Sequence, residues 1–289
     1  MKWLKKIWLK IWSKIKWLFG KRKMQNNNII NVDCWIAYFD VLGFRNRVEM
    51  LPWQSVRETY NEILKVIQQN NGTVSCKWFS DTFFFYTPDD KEESFLYIES
   101  SLRSIFQTIF FTKKIPFRGC LTVGNVYINP DENIFYGQGF LEAHDIAENE
   151  EWIGYVLSEN ASEKAKRFSA NRESVLDKLL KYQYRQYDVP FKNNKKKRLV
   201  VPNFNIDFNG NSPNAVTHQI QLWNALITMQ EVAKIFVCEK AKSEKISGMA
   251  RCREFEQVLR KYNNTKDFLL DTFPRLKEKI KNKNKQISP

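Results

Sequence analysis

The middle of the chain alternates between short apolar runs, typical of strands, and longer stretches with apolar residues at helical spacing. Apolar runs at 34–40, 74–88 and 115–128 predict strands, and the second run predicts a pair of strands that meets around Ser80 and Asp81. Apolar residues three or four positions apart predict helices near 53–69 and 93–112. The resulting order, β-α-β-β-α-β, predicts a ferredoxin-like α+β domain.

The pattern continues beyond these six elements. A glycine turn enters a predicted helix at 136–148, an apolar strand follows at 152–158, and a further helix begins after it. The lysine-rich run at 195–198 predicts a solvated loop. From residue 213 the apolar spacing is helical again, which predicts a helical C-terminal extension over 213–289.

The first 23 residues combine a stripe of apolar side chains, tryptophans among them, with nine lysines and arginines and no acid. This pattern predicts a cationic amphipathic helix over 1–23, followed by a linker at 24–32. Such a helix favours contact of residues 1–19 with an anionic membrane surface, and its lysines interrupt any run long enough to span one. The alternative is packing of the stripe on protein. Co-sedimentation with anionic vesicles, with and without residues 1–23, distinguishes the two.

The formal charge of the chain is +14, and it is concentrated at the two ends. Residues 240–289 hold 14 basic and 6 acidic side chains, whereas residues 24–239 hold 23 basic and 26 acidic ones. A mildly acidic domain is not suited to coating nucleic acid, so no nucleic-acid partner is expected. Five widely separated cysteines without a CxxC motif fit a cytoplasmic protein. The N-terminal helix would add peripheral contact with the inner face of the cell membrane.

Two aspartates lie in unusually apolar surroundings. Asp40 ends an apolar strand, and Asp81 lies between two aromatic runs. In a ferredoxin-like sheet the first strand lies beside the strand pair that contains Asp81, so both carboxylates should converge at one edge of the sheet. Close carboxylates repel each other, and a divalent cation relieves that repulsion. Each aspartate alone could instead cap a local turn, but together they favour a metal site.

Five segments, in order along the chain, carry a family resemblance. The segments FDVLGF (39–44), SD (80–81), RGCLTVGNVY (118–127), YGQGFLEAHDIAE (136–148) and EWIGYVLS (151–158) resemble the class III nucleotidyl cyclase domain. The last three are most similar to its anti-phage pyrimidine branch, the Pycsar uridylate and cytidylate cyclases. The resemblance covers roughly residues 33–205. It implies a homodimer, because the active site of this class forms between two domains and this chain has one.

The resemblance also implies a metal site beside a phosphate-binding turn. Asp40, Asp81 and the backbone carbonyl of Val41 would hold two divalent cations, Mn²⁺ or Mg²⁺. Gly43 would allow the turn to approach phosphate oxygens closely, and Phe44 would pack near the nucleotide.

Two basic residues match substrate contacts of the family. Arg118 matches an arginine that contacts the phosphates, so we assign it a catalytic and substrate-binding role; a surface ion pair is the alternative. Lys77 lies four residues before Asp81, where purine cyclases of the class keep a base-reading lysine. On a strand this spacing would put both residues on one face, although Lys77 could also be a plain exposed lysine.

The helix after the glycine turn departs from the family pattern. Purine cyclases of this class carry an asparagine and a transition-state arginine there. Counting from Gly137, Leu141 and Asp145 occupy these positions, and neither can donate the same hydrogen bonds. This difference argues against an ordinary adenylate or guanylate cyclase, and it leaves the group that stabilises the transition state unassigned.

These features together predict a metal-dependent cyclase that converts UTP to 3′,5′-cyclic UMP and pyrophosphate as a signal in anti-phage defence. Cytidylate or purine cyclase activity stays open as an alternative. A catalytically inactive, cyclase-like module that binds nucleotides at the membrane is a further alternative. The missing asparagine and arginine permit the inactive module, whereas the retained Asp40 and Asp81 weigh against it.

Overall fold

The computed structural model describes residues 30–69, 73–169, 183–203, 213–243 and 248–287. The predicted amphipathic helix at 1–23 lies outside these ranges. Within them, no helix is both long enough and apolar enough to cross a membrane.

The strands of the described residues form one sheet. Their bounds are β1 (Ile30–Val41), β2 (Ser75–Phe79), β3 (Thr82–Tyr86), β4 (Phe117–Asn129), β5 (Ile134–Tyr136), β6 (Gly154–Leu157), β7 (Tyr184–Phe191) and β8 (Lys195–Pro202). The helices are α1 (Phe44–Met50), α2 (Trp53–Gln69), α3 (Glu92–Phe106), α4 (Gln138–Asn149), α5 (Glu159–Ser169), α6 (Pro213–Ser243), α7 (Gly248–Thr272) and α8 (Pro274–Ile287).

The strand order is β2-β3-β1-β4-β6-β8-β7, and β5 pairs with β4. Strand β1 runs antiparallel to both β3 and β4, so the first four strands have the predicted ferredoxin-like arrangement. The α+β fold is therefore confirmed. Strand β1 lies in the interior of the sheet, where helices cover both faces. This position explains why the run from Cys34 to Phe39 is apolar throughout and why all six of its side chains are buried.

Residues of β1 contribute to two apolar clusters. Trp35 and Phe39 belong to the main core, on the face covered by α2 and α3. Ile36 belongs to a smaller cluster on the opposite face, together with Phe140 of α4. The tight packing of α4 is visible at Gly139, where an added Cβ would lie 2.3 Å from the Ile36 Cδ1 atom. The face under α4 is the one that carries the polar residues described below.

The C-terminal extension packs onto the domain. The ring of Phe268 meets the buried Trp152 edge-on, with the ring centroids 5.2 Å apart. Ile153 donates its backbone N–H to Thr265 Oγ1 at 2.7 Å, and Asn264 Nδ2 donates to the carbonyl oxygen of Glu151 at 2.6 Å. Helices α6, α7 and α8 all contribute to the main core, so the extension shares that core with the sheet.

Three boundaries differ from the sequence prediction. Strand β1 begins at Ile30, so residues 30–32 of the predicted linker pair with β4 instead. The helix predicted at 93–112 is α-helical as far as Phe106 and continues as a π-helical turn, Gln107–Thr112. The lysine-rich run at 195–198 is the first half of β8 and pairs with β7, although its side chains are mostly exposed. The sequence does not alternate between apolar and polar residues there, because this hairpin at the sheet edge leaves those lysines exposed.

Candidate active site

Asp40 and Asp81 come together at one end of the sheet, as the sequence predicts. Asp40 is paired with Thr82 of β3 on one side and with Arg118 of β4 on the other. Asp81 lies in the two-residue turn between β2 and β3, and its carbonyl oxygen accepts a 2.9 Å hydrogen bond from the N–H of Val41. Because Val41 directly follows Asp40, this bond fixes the turn against the end of β1. The two carboxylates are close enough that the charge of Asp81 raises the pKa of Asp40.

Arg118 holds Asp40 in a buried cluster. Its Nε donates to Asp40 Oδ2 at 3.1 Å, and its Nη2 lies 3.0 Å from the same oxygen. Glu148 of α4 completes the cluster, because Nη2 donates to its Oε1 at 2.6 Å and Nη1 donates to its carbonyl oxygen at 2.8 Å. The Arg118 side chain is only 7% exposed, and that of Asp40 only 13%. Arg118 therefore binds two carboxylates here, which differs from the phosphate contact expected from the sequence.

The pKa of Asp40 reflects three competing influences. Burial raises it above the usual range for a carboxyl group, the Arg118 guanidinium lowers it, and the negative charges of Asp81 and Glu148 raise it again. The net direction is upward. A carboxylate in this position would gain from an additional positive charge, because a nearby cation stabilises its ionised form.

In the turn after β1, one residue has a left-handed backbone conformation, and two backbone N–H groups already donate hydrogen bonds. Gly43 has a φ of +73°, in the left-handed region, and no atom lies within 4 Å of where a Cβ would be. Backbone geometry, not crowding, therefore favours glycine. The N–H groups of Val41 and Leu42 donate to Asp81 and Pro116, so neither is free to bind phosphate oxygens. Phosphate contacts from this turn would have to begin at Gly43.

Phe44 packs into the protein. Its ring meets that of Tyr60 edge-on, with the centroids 5.4 Å apart, and it lies partly buried against the main core. This position supports helix α1. The expected contact between Phe44 and a nucleotide stays a prediction.

Lys77 shares a sheet face with Asp40, but for a different reason from the one predicted. Asp81 lies in a turn, so counting four residues along a strand does not relate it to Lys77. Lys77 instead pairs with Phe84, and Phe84 pairs with Tyr38, two residues before Asp40 on the same face of β1. The ammonium of Lys77 lies 6.0 Å from the centroid of the Phe135 ring. It is partly exposed on the face covered by α4.

The two positions on α4 that depart from the family pattern point outward. Leu141 is 64% exposed, and the Asp145 side chain is 73% exposed. Between them, the His144 ring meets Tyr38 edge-on at a centroid distance of 5.3 Å. The surface formed by these residues is available to a second molecule.

Glu148 and Glu150 were not recognised in the sequence. Glu148 lies 30 residues after Arg118, and no spacing rule relates them because β5 and α4 come between. Glu150 is fully buried, accepts a 3.1 Å hydrogen bond from Trp152 Nε1, and has no partner for Oε1 within the described residues. Burial raises its pKa well above the usual value, which favours the neutral acid. A glutamate beside a tryptophan carries no sequence signal of such burial.

No family model matches the chain. No curated protein matches it either. Among solved structures, the adenylyl cyclase CyaB from P. aeruginosa is similar at 12% identity and a TM-score of 0.43, over 60% of this chain and 95% of that one. The catalytic core of a rhodopsin-guanylyl cyclase with converted specificity is similar at 13% identity and a TM-score of 0.42, over 59% and 94% of the two chains. An adenylate/guanylate cyclase/hydrolase from Silicibacter pomeroyi is similar at 15% identity and a TM-score of 0.37, over 59% and 96%.

Within the described residues, no group of three or more His, Cys, Asp or Glu side chains is arranged to hold a metal ion. A metal ion at Asp40 and Asp81 would therefore need further ligands from backbone, water or substrate.

Proposed function

We propose that the protein is a metal-dependent nucleotidyl cyclase that acts on a nucleoside triphosphate, with UTP as the favoured substrate. The observation that carries the proposal is the adjacency of Asp40 and Asp81 at the end of the sheet, next to the turn at Gly43. Asp40 is largely buried, and Asp81 has no side-chain ion pair within the described residues. A carboxylate pair with one member uncommitted is suited to a cation.

The residues present fit divalent cations. Asp40, Asp81 and the Val41 carbonyl would hold Mn²⁺ or Mg²⁺, since Mg²⁺ is commonly held by one or two carboxylates together with substrate phosphates and water. When bound, such ions lower the pKa of the attacking hydroxyl and neutralise the charge that develops toward pyrophosphate. The raised pKa of Asp40, caused mainly by burial and also by the charges of Asp81 and Glu148, supports this assignment, because a bound cation would stabilise the ionised carboxylate.

The reaction joins two atoms of one substrate. The 3′-oxygen attacks the α-phosphorus, the bond from that phosphorus to the β-phosphate oxygen breaks, and pyrophosphate leaves while the hydroxyl proton passes to water. Arg118 acts as a positioning residue, because its hydrogen bonds fix the orientation of Asp40. We propose that Lys77 contacts the base, from the same face of the sheet as Asp40.

The proposed site is incomplete in a single chain. Leu141 and Asp145 cannot donate the hydrogen bonds needed at a developing phosphorane, so a donor from elsewhere is required. Phe79 and Leu141, which are 81% and 64% exposed, both lie on the side of the sheet that α4 covers. We therefore propose a homodimer across this face, with each subunit completing the site of the other.

Replacing Phe79 by aspartate should dissociate this dimer. A charge in place of an exposed phenylalanine would have to be desolvated at the interface, which costs several kcal/mol for an unpaired charge. Light scattering after size exclusion should give the monomer mass for F79D, together with a loss of activity. The matched control is Ile235→Asp on α6, a 59% exposed apolar residue outside this face. If Phe79→Asp and Ile235→Asp were dimeric to the same extent, the proposed interface would be wrong.

Pyrimidine preference and a role in anti-phage defence rest on the sequence resemblance and on the substitutions at Leu141 and Asp145. Incubation of the purified chain with each of the four nucleoside triphosphates and Mn²⁺ tests the preference. We expect cyclic UMP to form at least about tenfold faster than the other products, as expected when a site hydrogen-bonds one base edge.

Each other outcome of this experiment has a distinct meaning. Cyclic AMP or cyclic GMP as the main product would overturn the pyrimidine preference and leave the cyclase proposal intact. The absence of every cyclic product, with nucleotide binding retained, would favour the inactive module. For the defence role, phage plating on bacteria that express the chain should fall relative to bacteria that express an inactive Asp81 variant, and equal plating would contradict it.

A further inference from the structure

A cleft of about 580 Å³ lies between the catalytic end of the sheet and the C-terminal extension. Gly43 and Arg47 line one side, Lys192 of the turn between β7 and β8 lines another, and Phe236 of α6 with Lys261 of α7 line the third. Its size is in the range of small-molecule sites. The helical extension, which lies outside the segments that resemble the cyclase family, thus forms one wall beside the Gly43 turn.

The charges that line the cleft are mostly positive. Arg47, Lys192, Arg260 and Lys261 face one carboxylate, Glu151. That carboxylate is already paired with Arg260, at 3.3 Å. Lys192 lies 3.9 Å from Glu148, which is a long contact to a carboxylate that Arg118 already binds. The cleft therefore carries excess positive charge on its walls.

Arg47 and Lys261 have no carboxylate partner within the described residues. The Arg47 guanidinium lies over the Phe236 ring, 5.9 Å from its centroid. Burial lowers the pKa of both groups, and the pKa of Lys261 falls to about 8 under the combined effect of burial and the nearby charge of Arg118. Partly buried cations without an ion-pair partner destabilise the fold, and a bound anion would reduce that cost.

We propose that this cleft binds the phosphoryl groups of a polyphosphate, with Lys261 and Arg47 as its principal cationic contacts. Several cations on three walls suit a compact, highly charged anion better than a single carboxylate. The asparagine and glutamine side chains that line the cleft add neutral hydrogen-bond donors; they are Asn46, Asn193, Asn194 and Gln257. That this polyphosphate is the triphosphate of the substrate, or its pyrophosphate product, rests on the proposed function; the anion site itself does not.

Inorganic pyrophosphate is the probe, titrated by calorimetry into the full chain without metal ions. Lys261→Met should weaken binding by about tenfold or more, because a hydrogen bond to a charged group contributes about 1.5–3 kcal/mol. The matched control is Arg253→Met, which removes one positive charge from an exposed position on the same helix. It should leave the dissociation constant within about twofold. Arg47→Met should weaken binding as Lys261→Met does, and thermal melting shows whether each variant is folded.

Proton uptake gives a second measurement that a purely structural lysine would not affect. The charged groups that influence the Lys261 ammonium are Arg118, Asp40, Lys192 and Glu151, with Arg47 and Arg260 on the cleft walls. At pH 8 about half of Lys261 is neutral, so a bound anion should draw a fraction of a proton onto it. Titrations in buffers of different ionisation enthalpy should detect this uptake in the wild-type chain and not in Lys261→Met.

Two results would separate this proposal from the proposed function. If Lys261→Met formed cyclic nucleotide and bound pyrophosphate with unchanged affinity, the proposed anion site would be wrong and the proposed cyclase activity would stand. Pyrophosphate binding that is lost in Lys261→Met, in a chain that forms no cyclic nucleotide, would support the cleft and overturn the cyclase. If Arg253→Met weakened pyrophosphate binding as much as Lys261→Met, the effect would be one of net charge, and the proposed anion site would also be wrong.

Discussion

Replacing Asp81 by asparagine should abolish cyclase activity while leaving the fold intact. The variant removes one of two carboxylates that would hold the metal ions, and an ion of this kind contributes several kcal/mol to the reaction. A loss of three kcal/mol or more corresponds to roughly a hundredfold to a thousandfold in rate. Stability should change little, because within the described residues the hydrogen bond of Asp81 is accepted by its backbone carbonyl oxygen, which asparagine keeps.

Asp33→Asn is the matched control for this prediction. It removes an aspartate from the same domain, but from an exposed position near the start of β1. The two variants should have the same melting temperature and different activities, measured as cyclic nucleotide formed over a range of Mn²⁺ concentrations. If D81N retained wild-type activity at every Mn²⁺ concentration, the metal assignment would be wrong.

The part of the site on β1 and in the β2–β3 turn was predictable from the sequence. The ferredoxin-like order places the end of the first strand beside the turn of the hairpin. The backbone arrangement alone therefore brings Asp40 and Asp81 close together. Both residues also stand out because they are acids within apolar runs. Local pattern and strand order were sufficient here, since both depend on short-range periodicity.

The remaining parts depend on contacts between residues far apart in the chain. Arg118 was found as a candidate, but its binding to Glu148 depends on how α4 packs over β4, which apolar periodicity does not specify. Lys261 could not be recognised, because one lysine among 14 basic residues at the C-terminal end looks like part of a solvated surface. Only the docking of α7 onto residues 151–153 brings it to the end of the sheet that carries Asp40.

The position of Arg118 connects the stability of the fold to the proposed chemistry. One guanidinium orients Asp40 and offsets its charge, and it also ties α4 to the sheet through Glu148. Without this partner, the carboxylate of Asp40 would be buried beside Asp81 without an ion pair. Arg118 therefore allows the carboxylates of Asp40 and Asp81 to lie close together.

Arg118→Met should accordingly destabilise the fold by about 3–5 kcal/mol, because it leaves a buried charge without its partner. The matched control is Arg198→Met, whose ion pair with Asp188 is 62% and 54% exposed and should contribute at most about 1 kcal/mol. Urea unfolding with a chelator present measures both. If the two variants lost equal stability, the buried cluster would not hold α4 to the sheet.

The loss in Arg118→Met should depend on pH in a defined direction. Arg118 lowers the pKa of Asp40, so its removal raises that pKa further above the unfolded value. A carboxyl group whose folded pKa is raised contributes most at low pH and loses that contribution as pH rises through the folded pKa. The variant should therefore lose more stability at pH 7 than at a pH of about 3, below the ordinary pKa of a carboxyl group, where Asp40 is protonated in both the folded and the unfolded state. A pH-independent loss would mean that methionine disrupts packing at this position and that Asp40 is not the group left uncompensated.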